Sequence, residues 1–115
     1  MHRITPLESL SDEPCSVVAV ACAFNGNAIT GDYYEKLRSD GYATLDIANK
    51  YIRANLPIKK RLNFRRGLRP KLKHLHFAGK AIVCVYGHFL YLDHEEYWSF
   101  FDNEDYEVVT IWEIK

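Results

Sequence analysis

From Cys15 to Phe24 the chain reads Cys-Ser-Val-Val-Ala-Val-Ala-Cys-Ala-Phe, an apolar run with no polar stripe on any side. A helix of this kind has no face to turn to water, so it belongs at the centre of a domain and the other segments must cover it. Pro14 marks its start, because the ring pre-sets a helical φ and lacks the N–H that a first helical turn would leave unpaired. Ser11 and Asp12 are the candidate caps, and Asn25-Gly26-Asn27 tolerates the left-handed conformation that ends a helix. The arrangement puts a cysteine in the first turn, at the positive end of the helix dipole. The thiolate is favoured there, and the pKa is expected to fall from ~8.5 toward neutrality. Cys15 is therefore a candidate nucleophile. The plainer reading is a small hydrophobe on a buried helix.

The remaining segments supply the cover. Thr30 is expected to cap a short helix ending near Ser39. Thr44 caps a third, with Leu45, Ala48, Tyr51 and Ile52 on one face until Asn55-Leu56-Pro57 breaks the pattern. Ile58 to Phe64 reads as an edge strand protected by Lys and Arg. Leu68, Leu72 and Leu75 fall at i, i+4 and i+7, which predicts a short helix from Leu68 to Phe77 with Pro70 in its first turn. From Gly79 the period changes. Lys80 to Tyr86 is a continuous β-branched run typical of a strand buried on both faces, and Gly87 separates it from His88 to Asp93. His94-Glu95 forms a hairpin tip, and Tyr97 to Phe101 and Tyr106 to Ile114 supply two further strands. Helices followed by an antiparallel sheet make one α+β domain spanning residues 1–115.

Cysteines at 15, 22 and 84 are odd in number and include no CxxC pair, so a reduced cytoplasmic compartment is expected. Cys22 and Cys84 read as core thiols. The polar N-terminus carries no signal-like run, and no apolar segment approaches the ~18 residues of a membrane span, so no membrane association is expected. Net charge is zero, yet Lys59 to Lys73 carries eight Lys or Arg and no acid, while Asp93 to Lys115 carries eight Asp or Glu and one Lys. This asymmetry implies two opposite faces. Within the basic segment Lys59, Lys60, Arg61, Arg65, Arg66 and Arg69 are candidate contacts for nucleic acid or an acidic host protein. His74, His76, His88, His94 and Cys84 lack the spacing of a structural zinc site, and no glycine-rich phosphate loop is present. No metal or cofactor is expected.

A catalytic cysteine needs a base to take its proton and a third group to hold that base. His88 follows Gly87 at a strand junction, where the missing side chain leaves room for another element to approach the imidazole, and is the natural base. Asp102, at the end of the next strand, is the candidate orienter; Asn103 is an alternative, and Asp93 a poorer one. With its helix-starting cysteine, helical first half and Gly-His strand followed by an aromatic strand ending in Asp, the chain resembles the papain-like cysteine peptidase superfamily in a minimal form. It is most similar to small bacterial and phage-encoded peptidases of the bacteriocin-processing type, through Leu68-Arg-Pro-Lys-Leu-Lys-His-Leu75, Gly79-Lys-Ala-Ile-Val83 and Gly87-His-Phe-Leu-Tyr91. The likeness covers roughly residues 12–103.

The resemblance implies Cys15 as nucleophile, His88 as general base and Asp102 as orienting acid, in a thiol hydrolase cleaving a peptide or isopeptide bond through an acyl-enzyme. It also implies a phage or mobile-element protein working in a host cytoplasm. The family's glutamine upstream of the cysteine has no counterpart, since the chain contains no glutamine. The oxyanion hole is left to the Cys15 N–H and the Ser11 hydroxyl. The competing reading is a catalytically inactive relative that binds a partner through residues 59–73.

Overall fold

A computed structural model describes residues 1–24, 33–39 and 45–115. In chain order, β1 (His2–Ile4) leads through a single 3-10 turn (Glu8–Leu10) to α1 (Cys15–Ala23), α2 (Tyr34–Ser39) and α3 (Leu45–Asn55). Then come β2 (Ile58–Asn63), a 3-10 turn at Leu72–His74, β3 (Lys80–Val85), β4 (His88–Asp93), β5 (Glu96–Trp98) and β6 (Val108–Ile114). This is an α+β fold with helices before most of the sheet. The expected caps at Thr30 and Thr44 and the turn at Asn25-Gly26-Asn27 lie outside the described residues.

Six strands form one sheet in the order β1-β5-β4-β3-β6-β2. All neighbours are antiparallel except β1 and β5, which run parallel with His2 opposite Glu96 and Ile4 opposite Trp98. The sheet is therefore mixed, because residues 2–4, expected only as an extended lead-in, pair at one of its edges. At the other edge β2 carries its Lys and Arg residues as expected, and it pairs with β6.

The strand period of two divides the core. Ile82, Cys84, Phe89, Tyr91 and Trp112 point to the face covered by the helices, where Val17, Val20, Tyr51 and Ile52 pack against them. Ala81, Val83, Val85, Leu90, Leu92 and Ile111 point to the opposite face, closed by Leu72 with the half-buried Phe64 and Phe77. Every residue from Ser16 to Cys22 is buried, as an apolar helix without a polar face requires. Each fully covered valine contributes about 1.5–3 kcal/mol over its exposed state. Trp112 fixes the layers to each other: its ring stacks on Phe89 at 5.9 Å, and its Nε1 donates to Asn49 Oδ1 of α3 at 2.8 Å.

Two expectations are corrected. Residues 68–77 do not form a helix. Leu72 N donates to Tyr106 O, Val108 N donates to Pro70 O, and Lys71 bridges Glu107, so the neighbouring segment takes the backbone groups that a helix would have used internally. The oppositely charged segments are also not on opposite faces. β2 lies beside β6, Lys59 and Lys60 each approach Glu113 at 3.8 Å, and Lys73 meets Asp105 at 2.7 Å.

Candidate active site

Pro14 is the N-cap of α1, with φ −56° and ψ 145°, and Cys15 is the first helical residue. No side chain caps the helix, so neither Ser11 nor Asp12 takes that role. The first helical bond runs from Val18 N to Pro14 O at 3.0 Å, and the amides of Cys15, Ser16 and Val17 donate to no backbone carbonyl among the described residues. Helix ends normally find partners for these groups. Here the N–H groups of Phe89, Ser16 and Cys15 itself stabilise negative charge on the Cys15 sulfur. Burial opposes them and is the larger effect, so the thiol is held above its usual 9.0. The expected fall toward neutrality does not occur, and at rest Cys15 carries its proton.

His88 opens β4, directly after the Tyr86-Gly87 turn that joins it to β3. Gly87 has φ 78°, and a Cβ placed on it would meet nothing within 4 Å. The glycine is there for its backbone conformation, and the segment that approaches the imidazole, residues 99–101, does so without using the space at Gly87. Burial lowers the His88 pKa below the usual 6.5, so the imidazole is neutral near pH 7.

The group that holds His88 is a serine. His88 Nε2 lies 3.0 Å from Ser99 Oγ, which donates to Asn103 Oδ1 at 2.5 Å and accepts from Phe101 N at 3.2 Å. Ser99 and Asn103 are both buried. Counting protons sets the tautomer. The one hydroxyl proton of Ser99 goes to the amide oxygen, so its lone pairs receive the N–H groups of Phe101 and His88. His88 is then protonated at Nε2. Its Nδ1 has no hydrogen-bond partner among the described residues, yet it is not among the buried unsatisfied atoms, and it is free to take a proton. The Phe101 ring meets the imidazole edge-on at 5.9 Å and 78°.

Asp102 is exposed and turned elsewhere, accepting from Glu104 N at 3.0 Å and from Tyr97 Oη at 3.3 Å. It makes no hydrogen bond to His88. Asn103, the alternative orienter, reaches the ring only through Ser99, which sequence reasoning missed. Its one signal was a lone small hydroxyl inside Tyr97-Trp-Ser-Phe-Phe101. Asp93 bonds to His94 at 2.7 Å.

Cys15 and His88 line two cavities together. One, of about 450 Å³, also takes in Arg69, Cys84 and Leu45. The other, of about 330 Å³, has Ser11 and Glu13 on one side and Trp98, Phe100 and Phe101 on the other. Ser11 thus reaches the site, but as an exposed wall residue. Ser16 is a second hydroxyl nearby: its Oγ is buried without a partner, and the residue lines a third cavity with Cys15.

The remaining thiols are unsuited to attack, since burial pushes Cys22 up to about 11 and Cys84 up to about 12. Among the candidate binding cations, Lys59 and Lys60 approach Glu113, and Arg61 lies over the Trp112 ring at 5.1 Å. Arg69 donates to Phe64 O, while Arg65 and Arg66 are exposed and make no ion pair among the described residues. No group of three or more metal-ligating side chains occurs among the described residues, and no helix there is long and apolar enough to cross a membrane. Comparison with known protein families, with characterised proteins and with solved structures finds no match.

Proposed function

We propose that the chain is a thiol hydrolase of papain-like type that forms an acyl-enzyme on Cys15. The observation that carries this reading is the tethering of His88 through Nε2 to the Ser99–Asn103 pair, which leaves Nδ1 as the basic nitrogen of a residue that lines two cavities together with Cys15. Cys15 gives its proton to Nδ1 as sulfur attacks the acyl carbon. The carbonyl π electrons move to oxygen, and that oxyanion is held by first-turn amides released from the sulfur as it bonds to carbon, a role the missing glutamine would otherwise share. The imidazolium, stabilised through Nε2–H to Ser99, then protonates the leaving amine as the carbon–nitrogen bond breaks. Water, deprotonated at Nδ1, releases the acid and restores the thiol.

Mass spectrometry after brief exposure to a p-nitrophenyl ester tests this. The acyl group should appear on Cys15, with no adduct in Cys15→Ala and slower formation in His88→Ala. Acylation spread over other side chains would overturn the proposal.

A second reading, an idle relative that acts by binding, draws on the raised Cys15 pKa, which makes the resting thiol a poor nucleophile without its base. It would use Arg65 and Arg66. Salt-sensitive nucleic-acid binding that Arg65→Ala/Arg66→Ala abolishes, in a chain that Cys15 reagents do not label, would favour it.

A further inference from the structure

The two cavities shared by Cys15 and His88 carry opposite charge. Among the described residues the larger has Arg69 as its only charged wall residue, set among Leu45, Val85 and Val109. Among the described residues the smaller has Glu13 as its only charged wall residue, facing Trp98, Phe100 and Phe101. We propose that the Glu13 cavity receives a cationic side chain, lysine or arginine, on the residue that supplies the scissile carbonyl. The proposal rests on the thiol hydrolase reading above and names the substrate class of that same site.

Three features support this assignment. Glu13 is held in place by α2: Tyr34 Oη lies 2.9 Å from Oε1 and 2.8 Å from Oε2. A phenol has one proton to share between those oxygens, so the carboxylate keeps lone pairs for a second donor. Among the described residues no cation forms an ion pair with it. Arg38 shares with Glu13 a different cavity, but it makes no ion pair among the described residues and its guanidinium lies over the Tyr34 ring at 5.9 Å. The aromatic walls add their own preference, since the negative face of an indole or phenyl ring attracts a cation and its edges cover a methylene stem. Trp98 is braced for this by Tyr91, whose ring centroid is 4.9 Å away. A volume of about 330 Å³ accommodates one long side chain.

The test compares Nα-acetyl-lysine, Nα-acetyl-norleucine and Nα-acetyl-glutamate p-nitrophenyl esters, which differ in charge at similar length. One charge-assisted contact sets a preference of about ten- to a hundredfold, so kcat/KM for the lysine ester should exceed that for norleucine by this factor, with glutamate slowest. Glu13→Gln should bring the lysine-to-norleucine ratio to about one, and Glu13→Asp should retain part of it. Equal rates for the three esters on wild-type protein, with Cys15 acylated, would overturn the cation pocket and leave the hydrolase reading standing. Acylation of Cys15 by none of them would overturn both.

Discussion

The two halves of the candidate site are built by different means. On the nucleophile side, Cys15 is served by main chain alone: an uncapped helix start, a proline without an N–H, and amides from Cys15, Ser16 and Phe89. On the base side, His88 is held by side chains, in a buried chain through Ser99 to Asn103 with the Phe101 ring against the imidazole. Main-chain groups survive most substitutions, whereas a side-chain network fails when one member is lost. The base half should therefore be fragile to mutation and the nucleophile half tolerant, except at the sulfur itself.

That exception sets the largest expected effect. Cys15→Ala should abolish turnover while changing folding stability by no more than ~1 kcal/mol, since alanine is the better helix former. Denaturant titration beside a rate assay separates the two quantities. Next comes Ser99→Ala, which takes the Nε2 partner away and frees the ring to rotate; kcat should fall by on the order of 10²–10⁴, the range for losing an orienting group. Asp102→Ala should cost less than about threefold on the same scale. A larger loss for Asp102→Ala than for Ser99→Ala would invert the account of the base half.

The pH profile provides a gentler test. Turnover needs a neutral His88 and a protonated Cys15 together. Burial lowers the His88 pKa and raises that of Cys15, so the acid limb of kcat/KM should lie below pH 6.5 and the alkaline limb above pH 9.0, leaving a broad plateau. Stability should begin to fall as pH drops through about 6.5, because the unfolded chain then takes up a proton that folded His88 still refuses. A narrow profile centred near pH 6 would mean a resting thiolate–imidazolium pair instead. The smallest effect is expected at Pro14. Pro14→Asp supplies the missing cap and should raise stability by ~1 kcal/mol. The same carboxylate would occupy the first-turn amides that the proposed mechanism assigns to the oxyanion, so activity should fall as the melting temperature rises. A rise in both would show that those amides have no catalytic part.

Cys15 and His88 were legible because each stands at a boundary that local chemistry announces: a proline before an apolar run, and a glycine before a strand. Ser99 was not, because nothing local says that β5 stops at Trp98. Its pairings with β1 and β4 both end at Trp98, the first of them made across almost the whole chain, and Ser99 beyond it lies against His88. The misread helix at 68–77 has a related cause. Its leucine spacing suits a helix, but Leu72 is buried by packing under the sheet, and segment 104–108 binds the backbone in an extended form. The charge asymmetry was visible, and its geometry was not, since β2 pairs with β6 through register and not through any local signal.

The parallel contact between β1 and β5 also bears on when the site comes into being during synthesis. Ser99 N donates to Ile4 O at 3.1 Å, and Arg3 Nη1 donates to Ser99 O at 3.3 Å, so residues 3 and 4 grip the backbone that aims the histidine's partner. Contacts that close so long a stretch of chain form late, after the loop-closure entropy has been overcome. While a ribosome has yet to deliver residues 96–103, Cys15 has its helix but no oriented base. On the proposed mechanism, a chain that has not yet closed this contact cannot be acylated at Cys15, however complete its helix.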